Sequence, residues 1–474
     1  MRRFKKIMEK VYIETYGCQM NFADSDVIAS ILKGAGYGFC EAIEEADFIL
    51  INTCAIRDNA EQRVRHRVRE LRAMQNKHPQ LRIGVLGCMA ERLQSRLMTE
   101  EDNVSFVCGP DAYRRLPDLL SQVRSEIGAR RSEVELSTTE TYADIEPVRL
   151  SGNGISAYIS IMRGCQNYCA YCVVPYTRGR ERSRDPETIV HEARSLFEQG
   201  YREVTLLGQN VNSYRWEGER LKVKGETTGT GEDFFTSHLS PFTFPDLMAR
   251  VAEIDPQLRV RFATSHPKDL SDQLLEVMAK YPNICRCIHL PVQSGSNRML
   301  KLMNRKYTVE WYLDRVEAIR RYLPDCSITT DVIAGFSTET EEDHQATLEL
   351  FRKVRYDYAY MFMYSLREGT YAWKHLADDI PEEEKKRRLN EIIALQGEIA
   401  LENNRTEVGR EYEVLVEGES HRSKQQFFGR NSQNKVIVFD REPSAGGSAA
   451  RLGTYRRVKV TSCTAATLLG ELVQ

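Results

Sequence analysis

The sequence predicts an α/β protein in three parts: an N-terminal doubly wound parallel-sheet domain, a central partial (β/α)6 barrel, and a small all-β barrel. Three observations predict it. Short apolar runs alternate with helical periods from Val11 to Arg124, as parallel strands covered on both faces require. A second series of the same kind begins at Ala157. After Arg405 the texture becomes period-2 alternation, in EYEVLVEG, NKVIVF and TYRRVKV, which reads as short strands closing a barrel.

The elements follow in order. In residues 10–126 the expected strands are Val11–Tyr16, Asp47–Thr53, Arg82–Gly87 and Val104–Cys108. Between them Val27, Ile28, Ile31 and Leu32, then Val64, Val68, Leu71 and Met74, recur at helical spacing. RVRHRVREL could pass for a strand, but its apolar face continues to Met74, which favours a helix. Residues 127–153 are polar, end in SGNG and read as a linker. In residues 154–380 six strands are expected: Ala157–Met162, Glu203–Gly208, Arg259–Thr264, Arg286–Leu290, Ser327–Ile333 and Asp357–Ser365. Six is too few for a closed eight-fold barrel. Residues 216–241 break the rhythm and read as a surface insertion. A connecting helix follows over 381–404, with Glu382→Lys386, Glu383→Arg387 and Glu384→Arg388 spaced for i,i+4 pairs. The β-domain occupies 405–470.

Composition narrows the function classes. With 66 Lys+Arg against 68 Asp+Glu over 474 residues the net charge is −2, which excludes a uniformly basic nucleic-acid coat. No run approaches the roughly 18–20 apolar residues of a membrane span, and MRRFKKIMEK leads into VYIETYG without a signal-like core. The expectation is a cytoplasmic protein, no membrane partner, and reduced thiols. Its 12 cysteines then point to metal ligation or catalysis rather than disulfides.

Two cysteine sets stand out. Cys165, Cys169 and Cys172 lie in one short loop, CQNYCAYC, directly after the strand AYISIMRG. A 4Fe-4S cluster takes four ligands, so three cysteines leave one iron open to an exogenous ligand, as open catalytic metal sites do. A zinc loop is the plainer alternative, although zinc sites usually pair two CxxC-type halves. Cys18, Cys54 and Cys88 each follow a strand, in YGCQMN, INTCAI and LGCMAE, spaced 36 and 34 positions apart. Three adjacent strand ends can bring them together, again as an incomplete set that implies a second cluster. Cys108, at a fourth strand end, is a minor candidate; Cys40, Cys285, Cys287, Cys326 and Cys463 read as small buried hydrophobes.

The CxxxCxxC spacing resembles the radical S-adenosylmethionine (SAM) superfamily. Across nearly its whole length the chain resembles the methylthiotransferases within it, which join a three-cysteine domain, a radical SAM core and a TRAM β-domain. TYGCQMNFADSD, GCMAER, RGCQNYCAYCVVPYTRGRERSR, LPVQSGSNRMLKLMNRKYT and GRNSQNKVIVF resemble the branch acting on tRNA. The resemblance implies methylthio insertion at C2 of an N6-isopentenylated adenosine beside the anticodon. It implies two 4Fe-4S clusters, one held by Cys165, Cys169 and Cys172 for radical generation from SAM, the other by Cys18, Cys54 and Cys88 for sulfur delivery. It also implies a tRNA anticodon stem-loop and an electron donor such as a flavodoxin as partners; a monomer is expected. Related readings are an enzyme acting on threonylcarbamoyladenosine or on a ribosomal-protein aspartate. A different class, a two-cluster electron carrier, sits poorly with two sets that stop at three cysteines.

Further candidates lie at expected strand ends. For the SAM pocket these are Gln209 and Asn210, in LGQN where the family has Gly-Gly-Glu, together with Ser265, Gln293 and Val332. His266, His289 and the Arg367–Thr370 turn lie close to them in the pattern. For RNA the candidates are Arg178, Arg180, Arg182 and Arg184, a run of net charge +3 over 176–184, and Arg422, Lys424 and Arg430 in the β-domain.

Overall fold

The computed structural model describes residues 8–55, 58–126, 128–150, 152–218, 241–420, 422–441 and 451–473. Its N-terminal unit is a six-stranded, all-parallel sheet. The strand order is Gly38–Phe39, Lys10–Tyr16, Phe48–Thr53, Arg82–Gly87, Phe106–Cys108, Arg131–Glu133. FILINT and RIGVLG are buried at every position, as central strands covered by helices on both faces must be. One apolar layer gathers Ile28 and Leu32 with Leu116, Leu119 and Leu120. The other gathers Val64, Val68 and Leu71 of the helix Asp58–Lys77, so the RVRHRVREL segment is helical.

The expected linker 127–153 differs from the reading. Arg131–Glu133 adds an edge strand to the sheet, and the Tyr142 ring is buried, its hydroxyl donating to the Pro110 carbonyl at 3.0 Å. Arg149 pairs with Asp26 at 3.0 Å, and the Leu150 amide donates to the same carboxylate. A polar composition hid this, because the segment is held by hydrogen bonds and one aromatic anchor rather than by an apolar face.

The central unit carries six parallel strands in two runs of three: Ser156–Ser160, Glu203–Leu207, Arg259–Ala263, then Cys287–His289, Ser327–Ala334, Tyr358–Met363. A parallel bridge between Val260 and Ile284 joins the runs. The result is the open partial barrel expected from six βα units. Residues 219–240 of the expected insertion lie outside the described residues; its flanks, Arg215–Trp216 and Phe242–Thr243, pair antiparallel.

The helix Glu382–Arg405 begins at Pro381 and packs along the last barrel strand. Lys386–Glu382 and Arg388–Glu384 form as expected, at 2.6 and 2.9 Å. Arg387 instead reaches Glu384, Glu391 and Glu341, because the packed neighbouring helix offers a carboxylate that Glu383 cannot match. The C-terminal unit is a closed five-stranded barrel, Glu411–Ser420, Ser423–Arg430, Val436–Asp440, Leu468–Leu472, Tyr455–Cys463, around Val414, Phe427, Phe439 and Val458. No helix among the described residues is long and apolar enough to cross a membrane.

This barrel docks on the N-terminal ends of the central strands. Arg259 donates to the Arg430 and Glu413 carbonyls at 2.7 and 2.8 Å. Buried Arg261 pairs with buried Glu203 at 2.7 Å and donates to the Asn431 carbonyl at 2.8 Å. Removing one partner of such a pair strands the other charge, at a cost of about 3–5 kcal/mol. Arg261→Ala is therefore expected to lower stability by about that amount and to loosen the C-terminal barrel, read as a lower denaturation midpoint with new protease cleavage near residue 405.

Candidate functional site

The first cysteine set is built by register. Tyr16 pairs with Thr53, and Thr53 with Gly87, so three parallel strands end side by side and Cys18, Cys54 and Cys88 follow at once. Gly17 makes the approach possible: a Cβ there would lie 2.6 Å from the Cys54 Cβ. Asn21 braces the loop, its Oδ1 accepting from the Cys18 amide at 3.3 Å and its Nδ2 donating to the Thr53 carbonyl at 2.9 Å. Cys54 and Cys88 are buried while Cys18 keeps an exposed face. A hydrogen bond with Cys54, and then the Arg178 charge, bring the Cys18 thiol down to about 6 against the opposing effect of burial. Cys18 also caps the helix Gln19–Gly34, whose N-terminus favours an anion. Burial pushes Cys88 up, with Arg178 opposing.

The second set sits on the loop after Met162–Arg163. Gly164 turns the chain at φ +81°, where a Cβ would fall 2.0 Å from the Arg180 carbonyl oxygen. The loop is pinned from outside: Ala170 donates to the Met303 carbonyl at 2.9 Å and receives Ala372 N–H at 2.8 Å. Arg305 donates to Cys169 Sγ at 3.3 Å, and Asn167 to Cys165 Sγ at 3.5 Å. Burial pushes Cys165 up to about 11 and raises Cys172 further. Such thiols ionise when a metal core supplies the positive charge.

The two sets meet. Val173, next to Cys172, packs with Ala55 and Cys88. Arg178, from the same loop, donates Nε–H to Cys88 Sγ at 3.2 Å and Nη2–H to Asp24 Oδ2 at 2.7 Å. Among the described residues no three thiols lie within 4.8 Å of one another. Cys108 points elsewhere, fully buried in the apolar layer of Leu116 and Leu120.

Comparison with known proteins follows this geometry. Residues 10–109 match a model described as uncharacterized protein family UPF0004, 159–351 the radical SAM superfamily, and 405–473 the TRAM domain. A tRNA-2-methylthio-N(6)-dimethylallyladenosine synthase of Phocaeicola vulgatus is 56% identical, over 98% of this chain and 96% of its own. One from Porphyromonas gingivalis is 51% identical over 98% and 95%. The chain belongs to the radical SAM methylthiotransferase family of tRNA-2-methylthio-N6-dimethylallyladenosine synthases. It is a radical SAM enzyme, and its family implies a 4Fe-4S cluster and SAM. Among solved structures, the radical SAM methyltransferase TsrM of Kitasatospora setae, with cobalamin and a 4Fe-4S cluster bound, shares the fold at TM-score 0.55 and 14% identity, covering 77% of each chain.

In this radical SAM methylthiotransferase the other expected residues divide. Asn210 is fully buried and occupied: Nδ2 donates to Asp269 at 2.7 Å, and Oδ1 accepts from the His266 amide at 3.0 Å. Gln209 has a buried, unpartnered Oε1. Ser265 donates to Asn212 at 3.3 Å. Gln293 sits at φ +74° and bridges to Val332, itself core. Strained backbone of this kind, shared by Thr264 at φ +72°, gathers where a ligand is clamped.

The arginine run corrects the reading made from charge. Arg178, Arg182 and Arg184 are buried, paired with Asp24, Asp111 and Glu192 respectively, so none offers a face to phosphate; Arg180 alone is exposed. Arg430 pairs with Glu417 at 2.8 Å, whereas Arg422 and Lys424 are exposed. Sequence reasoning passed over Asp24 and Arg305, although both lie inside the motifs that carried the resemblance. It also missed exposed aromatics at and beside the cysteine loop: Tyr168 with Tyr176, whose rings lie 6.4 Å apart, and Tyr371 and Trp373 on the helix whose Ala372 holds Ala170.

His266 is buried, edge-on to Tyr307 at 5.6 Å. Burial, then Arg305, Lys268 and Lys306, push it down to about 2. The folded value lies below the unfolded one, near 6.5, so the unfolded chain takes up the proton first. The contribution is complete above pH 6.5 and is lost as pH falls below it. Between pH 7.5 and 5.5 the protein is expected to lose about 1.4 kcal/mol more stability than His266→Gln, measured by denaturant titration.

Proposed function

We propose that the protein replaces the C2 hydrogen of an N6-isopentenylated adenosine beside a tRNA anticodon with a methylthio group. The relatives' name supports this substrate. The observation that carries the reading is that two incomplete cysteine sets, from two domains, touch through Val173 and Arg178. When bound, a 4Fe-4S cluster with an open iron would supply radical generation from SAM at Cys165, Cys169 and Cys172, and a second would supply a sulfur-bearing core at Cys18, Cys54 and Cys88.

This chain's own residues would do the rest. Arg305 and Asn167 hold two of the radical-site sulfurs by hydrogen bonds. Gln209 Oε1, unpartnered and buried, is the acceptor that would meet the SAM ammonium, taking the place of the family's carboxylate. Ser265, Gln293 and Val332 would line the same pocket, while Asn210 shapes it from behind. The Tyr168 and Tyr176 rings at the cysteine loop could stack against unpaired loop bases. Arg180, Arg422 and Lys424 would meet phosphates from exposed positions. Action as a monomer in the cytoplasm with a flavodoxin-type reductant completes the proposal.

The test is mass spectrometry of tRNA nucleosides after anaerobic incubation with reconstituted enzyme, SAM and reductant. Isopentenylated transcripts should gain the methylthio mass and unmodified ones should not. Cys169→Ala should abolish both 5′-deoxyadenosine and product. Cys54→Ala should leave measurable 5′-deoxyadenosine while product falls at least a hundredfold; normal product from it would remove the first set from sulfur delivery.

A further inference from the structure

Five buried side chains form an alternating line across the seam between the first two domains. Arg178 meets Asp24 Oδ2 at 2.7 Å, and Asp24 Oδ1 receives Arg163 at 2.8 Å. Arg163 lies 3.5 Å from Asp111, which receives Arg182 at 2.9 Å on both oxygens. Three guanidiniums thus share two carboxylates, each of the five side chains no more than 4% exposed. Glu91 adds no certain anion: burial and Asp111 push its carboxyl up to about 7.

The line ends in an arginine on both sides, and at one of these ends Arg178 faces Cys88 and its charge reaches Cys18. Arg178 Nη1 is buried there without a hydrogen-bond partner. A buried guanidinium N–H without an acceptor is unfavourable, and an anionic acceptor brought to it would complete it with a charge-assisted hydrogen bond.

We propose that Arg178 is a positioning residue for the sulfur core carried by Cys18, Cys54 and Cys88: it holds Cys88 through Nε and keeps Nη1 for an anionic sulfur of that core. The inference rests on the reading of these cysteines as cluster ligands. Positive charge at this distance favours the reduced, more negative state and resists loss of the core.

The test uses full-length protein in which Cys165, Cys169 and Cys172 are all alanine, reconstituted so that only the first set can hold iron. Adding Arg178→Gln should lower the reduction potential seen by EPR-monitored titration, and should speed iron loss to a chelator at least fivefold. Arg178→Lys, which keeps charge but not the fork, should fall between. Arg182→Gln is the control: it weakens the same seam without touching a cysteine, and should leave the potential unchanged. Equal effects from Arg178→Gln and Arg182→Gln, or none from the former on an iron-loaded parent, would overturn the proposal. Should Arg178→Gln not fold, Arg178→Lys against Arg182→Gln carries the same comparison. A parent that binds no iron would instead overturn the cluster assignment.

Discussion

The Asp24 carboxylate, shared between Arg163 and Arg178, is the interaction on which the arrangement of this protein depends. It lies on the first helix of the N-terminal domain, and its partners lie on either side of the CxxxCxxC loop of the central domain. Burial opposes ionisation of Asp24, yet the two cations hold it below its ordinary value. A charge pair out of water tolerates little change in distance or angle. The seam therefore fixes more than contact: it sets the ends of two sheets facing each other. Apolar packing alone would allow more freedom there, since the contact of Met20 and Ala23 with Leu207 is small.

Strand direction does the remaining placement. In both α/β units the cysteines lie beyond C-terminal strand ends, where parallel sheets leave a crevice. The β-barrel takes the opposite end of the central strands, through Arg259, Arg261 and Tyr455. A five-residue strand spans about 17 Å, so the cysteine loops and the docking face of the β-barrel are separated by the length of the central strands.

Much of the architecture was readable in order. Strand positions in both α/β units agree with the alternating pattern to within a few residues, because strands buried on both faces announce themselves as unbroken apolar runs. The placement of the six cysteines was readable for a similar reason: Cys18, Cys54 and Cys88 each come just after such a run, and Cys165, Cys169 and Cys172 share the one loop that follows another. What failed was the reading of charge. A run of four arginines looks the same whether it meets phosphate or carboxylate, and three of them turned out to be paired, two with Asp24 and Asp111 from distant parts of the chain and one with Glu192 on the helix that follows. The polar stretch 127–153 misled in the same way, since Tyr142 and Arg149 find their partners about 30 to 120 positions away.

Residue periodicity and local spacing, then, determined the three-part fold and which thiols stand at strand ends or share one loop, because those depend on which neighbours along the chain share a face. Only the tertiary structure decided that the two thiol sets adjoin, that Arg178 joins them and that the β-barrel sits at the far end. Those facts depend on which residues distant in sequence end up within hydrogen-bonding reach, and for buried ions that choice is made by desolvation and pairing at the seam, not by any local pattern.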